Sequence, residues 1–262
     1  MANSNPASEP QFIVSKDNAL FKALRLLAHD NAAYKKQARI WVEGEHLCKA
    51  ALERGLMPVM AVFAESFWPT GKLKQAQSAT KNVVIANRLF KELSALESPS
   101  GFGFVLEMPQ PTGIKPAANT VILDRVQDAG NVGSILRSAA AFGFHQVLAL
   151  KGSALLWSPK VLRAGMGAHF GLRLIEGLEI AQLDVLNVPL VATSSHSGNF
   201  IHGQSLPAPC AWVLGHEGQG VNPDLLCRAM VTVRIAQPGG EESLNVAAAA
   251  AICLHASIST GL

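Results

Sequence analysis

Charged residues are scarce in this chain: Asp, Glu, Lys and Arg make up 16% of it, against about 25% in a typical soluble domain, which excludes a disordered tail or a supercharged module. Cysteine is sparse and unpatterned. Cys48, Cys210, Cys227 and Cys253 form no C-x-x-C pair and none stands near a histidine at finger spacing, so no zinc site is expected and all four read as core thiols. Long apolar runs are absent. The longest, Val246 to Leu254, falls far short of the roughly 18 residues that span a bilayer, and the opening MANSNPASEP has no apolar signal region. The expectation is a soluble, cytoplasmic protein with no membrane partner. Neither G-x-x-x-x-G-K-[ST] nor G-x-G-x-x-G occurs, so a phosphate loop and a dinucleotide fingerprint are both excluded.

What is present is an apolar, enzyme-like composition: 49% hydrophobic over 262 residues, enough for one large domain or two ordinary ones. The net charge of +3 is unevenly placed. Residues 1–100 hold 13 basic and 9 acidic side chains, residues 101–262 hold 9 and 10. The excess concentrates in Lys16, Lys22, Arg25, Lys35, Lys36 and Arg39, which by themselves read as a solvated helix face.

A tail over 1–12 precedes an amphipathic helix, Asn18 to His29, with Leu20, Leu24 and Leu27 at helical spacing. Strands at Ile40–Val42, Val59–Phe63, Val83–Ala86 and Gly103–Leu106 and a helix at His46–Arg54 complete a small α/β unit over 13–107. Residues 108–119, with three prolines and no periodicity, read as a linker. From 120 to 262 strands alternate with helices: Val121–Leu123, helix Asn131–Phe142, Val147–Leu150, helix Pro159–Gly167, Leu190–Ala192, Ala211–Leu214, Val231–Ile235 and helix Leu244–Ile258. That alternation predicts a parallel sheet, with ligands beyond the carboxyl ends of its strands.

Three loops stand at such ends. In 124–143, Val132, Ile135, Leu136, Ala139 and Phe142 mark a buried stripe. Asn131, Ser134, Arg137 and Ser138 gather opposite, with Asn131 at or near the N-cap, where an anion would also sit. In Leu214–Asp224, three glycines in six positions imply a sharp turn or a close ligand. There Glu217 either faces a ligand or satisfies neighbouring amides. In 236–245, Ser243 is the expected N-cap of an alanine-rich helix.

Together, NVGSILRSAAAFG (131–143), LGHEGQGV (214–221) and IAQPGGEESLNVAAAAAI (235–252) resemble the three motifs of the SpoU/TrmH branch of the SPOUT RNA 2′-O-ribose methyltransferases. RIWVEGEHLCKAALERG (39–55) resembles the RNA substrate-binding domain often attached to them. Ala236 and Gln237 depart from the third motif, which commonly reads I-P-M, and Glu241–Glu242 is an unusual acidic pair beside Ser243.

The resemblance implies a small N-terminal α/β substrate-binding domain and a C-terminal α/β trefoil-knot methyltransferase domain that forms a homodimer. The cofactor it implies is S-adenosylmethionine, held by Gly215, Ile235 and Leu244 with Thr193 and Ala236; no metal is needed. The reaction it implies is methylation of a ribose 2′-hydroxyl of RNA, ribosomal favoured over transfer RNA. Arg137 is then a clamp for alkoxide and phosphate, Asn131 orients it, and Glu217, Ser243 and Asn245 shape the loops and position substrate. Lys16, Lys22, Arg25, Lys35, Lys36 and Arg39 become RNA contacts, and Ser158–Arg163 through His169 a second contact surface. A non-catalytic knotted RNA-binding module and a base-nitrogen methyltransferase are the competing readings.

Overall fold

Asn18 starts the first helix by accepting hydrogen bonds from the amides of Leu20 and Phe21, the usual way a short polar side chain satisfies orphan donors. The computed structural model describes residues 9–68, 79–110, 112–239 and 243–259; most of the tail and the acidic pair Glu241–Glu242 lie outside these. The chain divides into two compact units, one reaching to Pro109 and including Trp157–Pro159, the other built from Gln110–Leu156 and Lys160 onward.

In the first unit the elements run β1 (Gln11–Ile13), α1 (Ala19–His29), α2 (Ala33–Gln37), β2 (Arg39–Glu43), α3 (Glu45–Glu53), β3 (Met60–Ala64), β4 (Asn82–Ile85), α4 (Asn87–Leu93) and β5 (Phe102–Glu107). They form a mixed sheet in the order β1-β4-β3-β5-β2, parallel from β1 to β3 and antiparallel through β5 to β2. α1 buries Phe21, Leu24, Leu27 and Ala28; of the expected Leu20, Leu24 and Leu27, the last two are buried and Leu20 is half-buried, its place on the inner face taken by Phe21. Lys22 and Arg25 stand on its exposed side, and Lys16, Lys35, Lys36 and Arg39 are exposed too.

The second unit continues with β6 (Thr120–Leu123), α5 (Ala129–Ala141), β7 (Gln146–Leu150), α6 (Pro159–Gly165), β8 (Arg173–Leu178), β9 (Leu190–Thr193), β10 (Asn199–Phe200), β11 (Ala211–Leu214), α7 (Pro223–Arg228), β12 (Val231–Arg234) and α8 (Val246–Ser259). Its sheet, in the order β10-β12-β9-β11-β6-β7-β8, is parallel throughout. Both the α/β class and the parallel sheet expected from the sequence are present. The strands are continuous apolar runs because the central ones are covered on both faces. Residues before β6 are fastened to this unit: the Lys115 amide donates to Gln146 Oε1 at 2.7 Å and the Asn187 amide to the Pro116 carbonyl at 2.9 Å.

Helix packing explains one glycine of the first motif. A Cβ on Gly133 would fall 2.3 Å from Ala164 Cβ and 2.7 Å from the Ala164 carbonyl carbon, so α5 approaches α6 at a distance only glycine permits.

Four local expectations need correction. Asp128, not Asn131, caps α5, with Oδ1 accepting from the Asn131 amide at 2.7 Å. Asn245, not Ser243, caps α8, accepting from the amides of Ala247 and Ala248 at 2.9 and 3.3 Å. Cys227 is exposed while Cys48, Cys210 and Cys253 are buried, because it falls on the outer side of a six-residue helix. His169 is buried and burial pushes its pKa down to about 4, against a smaller upward pull from the Leu156 carbonyl, so it carries no charge at neutral pH and offers RNA no cation.

No helix among the described residues is long and apolar enough to cross a membrane. Nor, among them, does any group of three or more His, Cys, Asp or Glu stand where it could hold a metal ion.

Candidate active site

Strands β12, β9, β11 and β6 are neighbours and parallel, so their carboxyl ends open on one edge of the sheet. Three strand spacings cover about 14 Å. Thr193 ends β9, Gly215 follows β11, Ile235 follows β12 and Asp124 follows β6. Gly215 is buried, and a Cβ there would lie 2.3 Å from Gly220 C and Val221 N, so the 215–221 loop can fold on itself only around a glycine. His216 and Gly220 exchange both backbone hydrogen bonds, at 3.0 and 2.9 Å, and His216 Nδ1 accepts from the amides of Gly218 and Gln219. The turn leaves Glu217 at its tip.

Glu217 is the centre of a network that joins all three loops. Its carboxylate accepts from the amides of Gln127 at 3.3 Å and Asp128 at 3.2 Å and from Asn131 Nδ2 at 3.2 Å. Asn131 Oδ1 accepts in turn from Asn245 Nδ2 at 2.9 Å, while Asn245 Oδ1 caps α8. Of the two possibilities open for Glu217 in the sequence, the structure shows the second: it satisfies neighbouring amides and also holds Asn131. Partial burial works to raise its pKa, but hydrogen bonds from its own amide, Asp128, Asn131 and Gln127 outweigh this and hold the carboxyl below its ordinary range.

A lowered folded-state pKa means the carboxylate stabilises the fold above the unfolded pKa, and that this contribution is lost as pH falls through the folded value. The melting-temperature difference between wild type and Glu217→Gln is thus expected to be constant above about pH 5.5 and to shrink below about pH 4.5, as a pH series of thermal melts would show. A difference independent of pH would contradict the bonded carboxylate.

Arg137 lies six residues beyond Asn131 on α5, exposed and without a hydrogen-bond or ion-pair partner among the described residues. A free guanidinium on the helix that carries the network is available to an anionic ligand. Ser243 and Leu244 are exposed just before α8, Ile235 is half-buried, Ala236 exposed, and Thr193 donates its hydroxyl to the Val213 carbonyl at 3.2 Å. The structure thus brings Asn131, Glu217 and Asn245 into contact and leaves Arg137 and Ser243 outside that network.

The three-loop arrangement has a counterpart among known proteins: residues 118–255 match the family model described as the SpoU rRNA Methylase family. The chain belongs to the SpoU rRNA methylase family. It is 28% identical over 231 residues to the 23S rRNA (guanosine(2553)-2′-O)-methyltransferase RlmP of Bacillus subtilis, covering 87% of this chain and 91% of that one. A crystal structure of an RNA 2′-O ribose methyltransferase superposes with a TM-score of 0.79 at 29% identity, over 96% of this chain and 99% of that one. The fold is also that of the SpoU methyltransferase AviRb from Streptomyces viridochromogenes, solved in complex with AdoMet, with a TM-score of 0.83, 24% identity and coverage of 93% and 98%.

One pair at this SpoU site escapes sequence reading. Asp124 and Arg125 look like an ordinary polar strand end, yet Asp124 is 1% exposed and bonds a residue 98 positions away. An aspartate ending an apolar strand was the only available signal.

Proposed function

We propose that this chain transfers the methyl group of S-adenosylmethionine to a ribose 2′-hydroxyl of ribosomal RNA. The observation that carries this reading is the Glu217–Asn131–Asn245 network, which locks three loops together at the carboxyl ends of adjacent parallel strands, with Arg137 exposed further along the helix that carries Asn131.

The loop after β12 fits the cofactor. Among the described residues, Gln237 Oε1 and Arg234 Nε, whose guanidinium lies over the Phe200 ring, are buried without hydrogen-bond partners, an unused capacity that a nucleoside with its own donors and acceptors would satisfy. Ile235 and the exposed Leu244 offer apolar surface to a ring, and Gly215, Ala236 and Thr193 frame it from adjacent strands. The departure from I-P-M at Ala236 and Gln237 is in keeping with a polar contact to the cofactor.

When bound, S-adenosylmethionine supplies a methyl group activated by its sulfonium. The rest belongs to the protein. A neutral hydroxyl is a weak nucleophile, so the site must stabilise charge developing on the 2′-oxygen as its proton passes to water or a substrate phosphate. Arg137, a guanidinium with donors and no acceptor, donates to that oxygen or to the adjoining phosphate and is not a base. Asn131 is held by Glu217 and Asn245 in one orientation, so it can position the ribose without reorganising. Ser243 completes the substrate side.

The first unit, residues 13–107, is the RNA substrate-binding domain. Its exposed Lys16, Lys22, Arg25, Lys35, Lys36 and Arg39 take phosphate contacts, residues 108–119 connect it to the methyltransferase domain over 120–262, and the enzyme works in the cytoplasm on RNA. The deep trefoil knot belongs to the same reading. Its support is the path of α8, which leaves β12 on the far side of β9 and returns to pack against α5 and β11.

A homodimer is supported by a groove of about 660 Å³ beside α8, lined by Phe142, Ile201, Leu206, Ala251, Ile252 and His255, with Ile252 38% exposed. Sedimentation velocity is expected to give a dimer, and Ile252→Glu to shift it toward monomer; a monomeric wild type would contradict this part.

The function is tested by incubating the protein with labelled S-adenosylmethionine and unmodified ribosomal or transfer RNA. Label in ribosomal RNA is expected. Label confined to transfer RNA would move the substrate class, and no label with no cofactor binding would favour the non-catalytic RNA-binding module.

A further inference from the structure

The 215–222 loop is gripped from two consecutive residues at the end of β6. The buried Asp124 carboxylate accepts the Asn222 amide on Oδ2 at 2.6 Å, and the Asp124 amide donates to the Leu214 carbonyl at 2.8 Å. Arg125 is turned back by a left-handed backbone, φ +60°, a conformation that costs a non-glycine residue energy and persists where surroundings require it. Its Nε donates to Asp124 Oδ1 at 2.9 Å and Nη2 to Oδ2 at 3.2 Å. With its remaining donors it reaches the loop: Nη1 to Gln219 Oε1 at 2.9 Å and Nη2 to the Gly220 carbonyl at 3.5 Å. The loop is therefore held at its entry by Asp124, at its tip by Arg125 and at its exit by Asp124 again. Two and three residues beyond Arg125, the amides of Gln127 and Asp128 hold Glu217 of the same loop. One five-residue segment thus sets both where the loop lies and what its carboxylate touches.

We propose that Asp124 and Arg125 are positioning residues for methyl transfer: by fixing the 215–222 loop they place Glu217 to orient Asn131 and, through it, Asn245. This rests on the methyl-transfer reading above. Neither residue needs to touch substrate; misplacing the network by an ångström or so is enough to slow the chemical step by about 10- to 100-fold.

Two variants of the full chain test it. Arg125→Lys keeps the charge but not the planar fork. Gln219→Ala removes one anchor at an exposed position and leaves the buried Asp124 and the half-buried Arg125 intact. The first readout needs neither cofactor nor RNA: the Glu217 carboxyl titration by ¹³C NMR, assigned against Glu217→Gln. In both variants its midpoint is expected to rise toward the ordinary carboxylate value, more in Arg125→Lys. The second readout is steady-state transfer, where kcat is expected to fall about 10- to 100-fold with KM for RNA changed by less than about 3-fold.

An unmoved Glu217 titration in folded variants would overturn the proposal, whatever happens to kcat. So would a shifted titration with kcat unchanged, because the loop's position would then not matter to the reaction. A wild-type protein that transfers no methyl at all would overturn the methyl-transfer reading and with it the positioning role in catalysis, while the titration still reports whether the two residues fix the loop.

Discussion

Arg137→Ala is expected to lower the rate of methyl transfer to RNA by about 10²- to 10³-fold, the usual cost of removing one donor from a site that stabilises an oxyanion. The fold should not notice: Arg137 is exposed and has no partner among the described residues, so its melting temperature should stay within about a degree of wild type. Arg137→Lys retains the charge but loses the two-pronged geometry, so it should recover only part of the rate. Single-turnover transfer at saturating cofactor and RNA separates this loss from weakened binding. A full-rate Arg137→Ala would remove the residue from the chemistry.

Trp212→Ala is expected to destabilise the second unit by about 3–5 kcal/mol, the range for deleting a fully buried aromatic. Trp212 sits at the middle of β11 with no exposed surface, and its indole Nε1 donates to Ser257 Oγ on α8 at 2.8 Å. Ser257 in turn donates to the Cys253 carbonyl at 3.2 Å, so the truncation opens a cavity and removes the indole donor from this contact between β11 and α8. α8 begins at the residue after Asn245, so loosening its seat also loosens the Asn245–Asn131–Glu217 network from the far end. Urea denaturation measures the loss directly; a change under about 1 kcal/mol would mean that α8 is seated by something other than this contact.

Much of this was readable before any coordinates. The recurrence of Val132, Ile135, Leu136, Ala139 and Phe142 marks the buried face of α5; the first four are buried and Phe142, at the C-cap, is half-buried. Short apolar runs at Val121–Leu123, Val147–Leu150, Leu190–Ala192 and Ala211–Leu214 place β6, β7, β9 and β11, because strands covered on both faces carry no alternation to obscure them; Val231–Ile235 places β12, which is only partly buried. β1 and β10, at three and two residues, are too short for any period to register, and α2 holds only five. The caps were misread for a chemical reason. Asp128 and Asn131, and likewise Ser243 and Asn245, are all competent caps, and which one bends into the first turn depends on the backbone. At the site, residue types suggested Asn131, Glu217 and Asn245 one by one, but their mutual hydrogen bonds join positions 86 and 114 residues apart. The role of Asp124 was hidden for the same reason, since its burial is created by a loop from β11.

The identity of the labelled nucleoside tests the central claim most directly. Ribosomal RNA methylated by this protein, digested to nucleosides and resolved by mass spectrometry, should carry the label on ribose, in a 2′-O-methylnucleoside that survives alkaline hydrolysis as a resistant dinucleotide step. Label on a nucleobase would contradict 2′-O-transfer and the role assigned to Arg137.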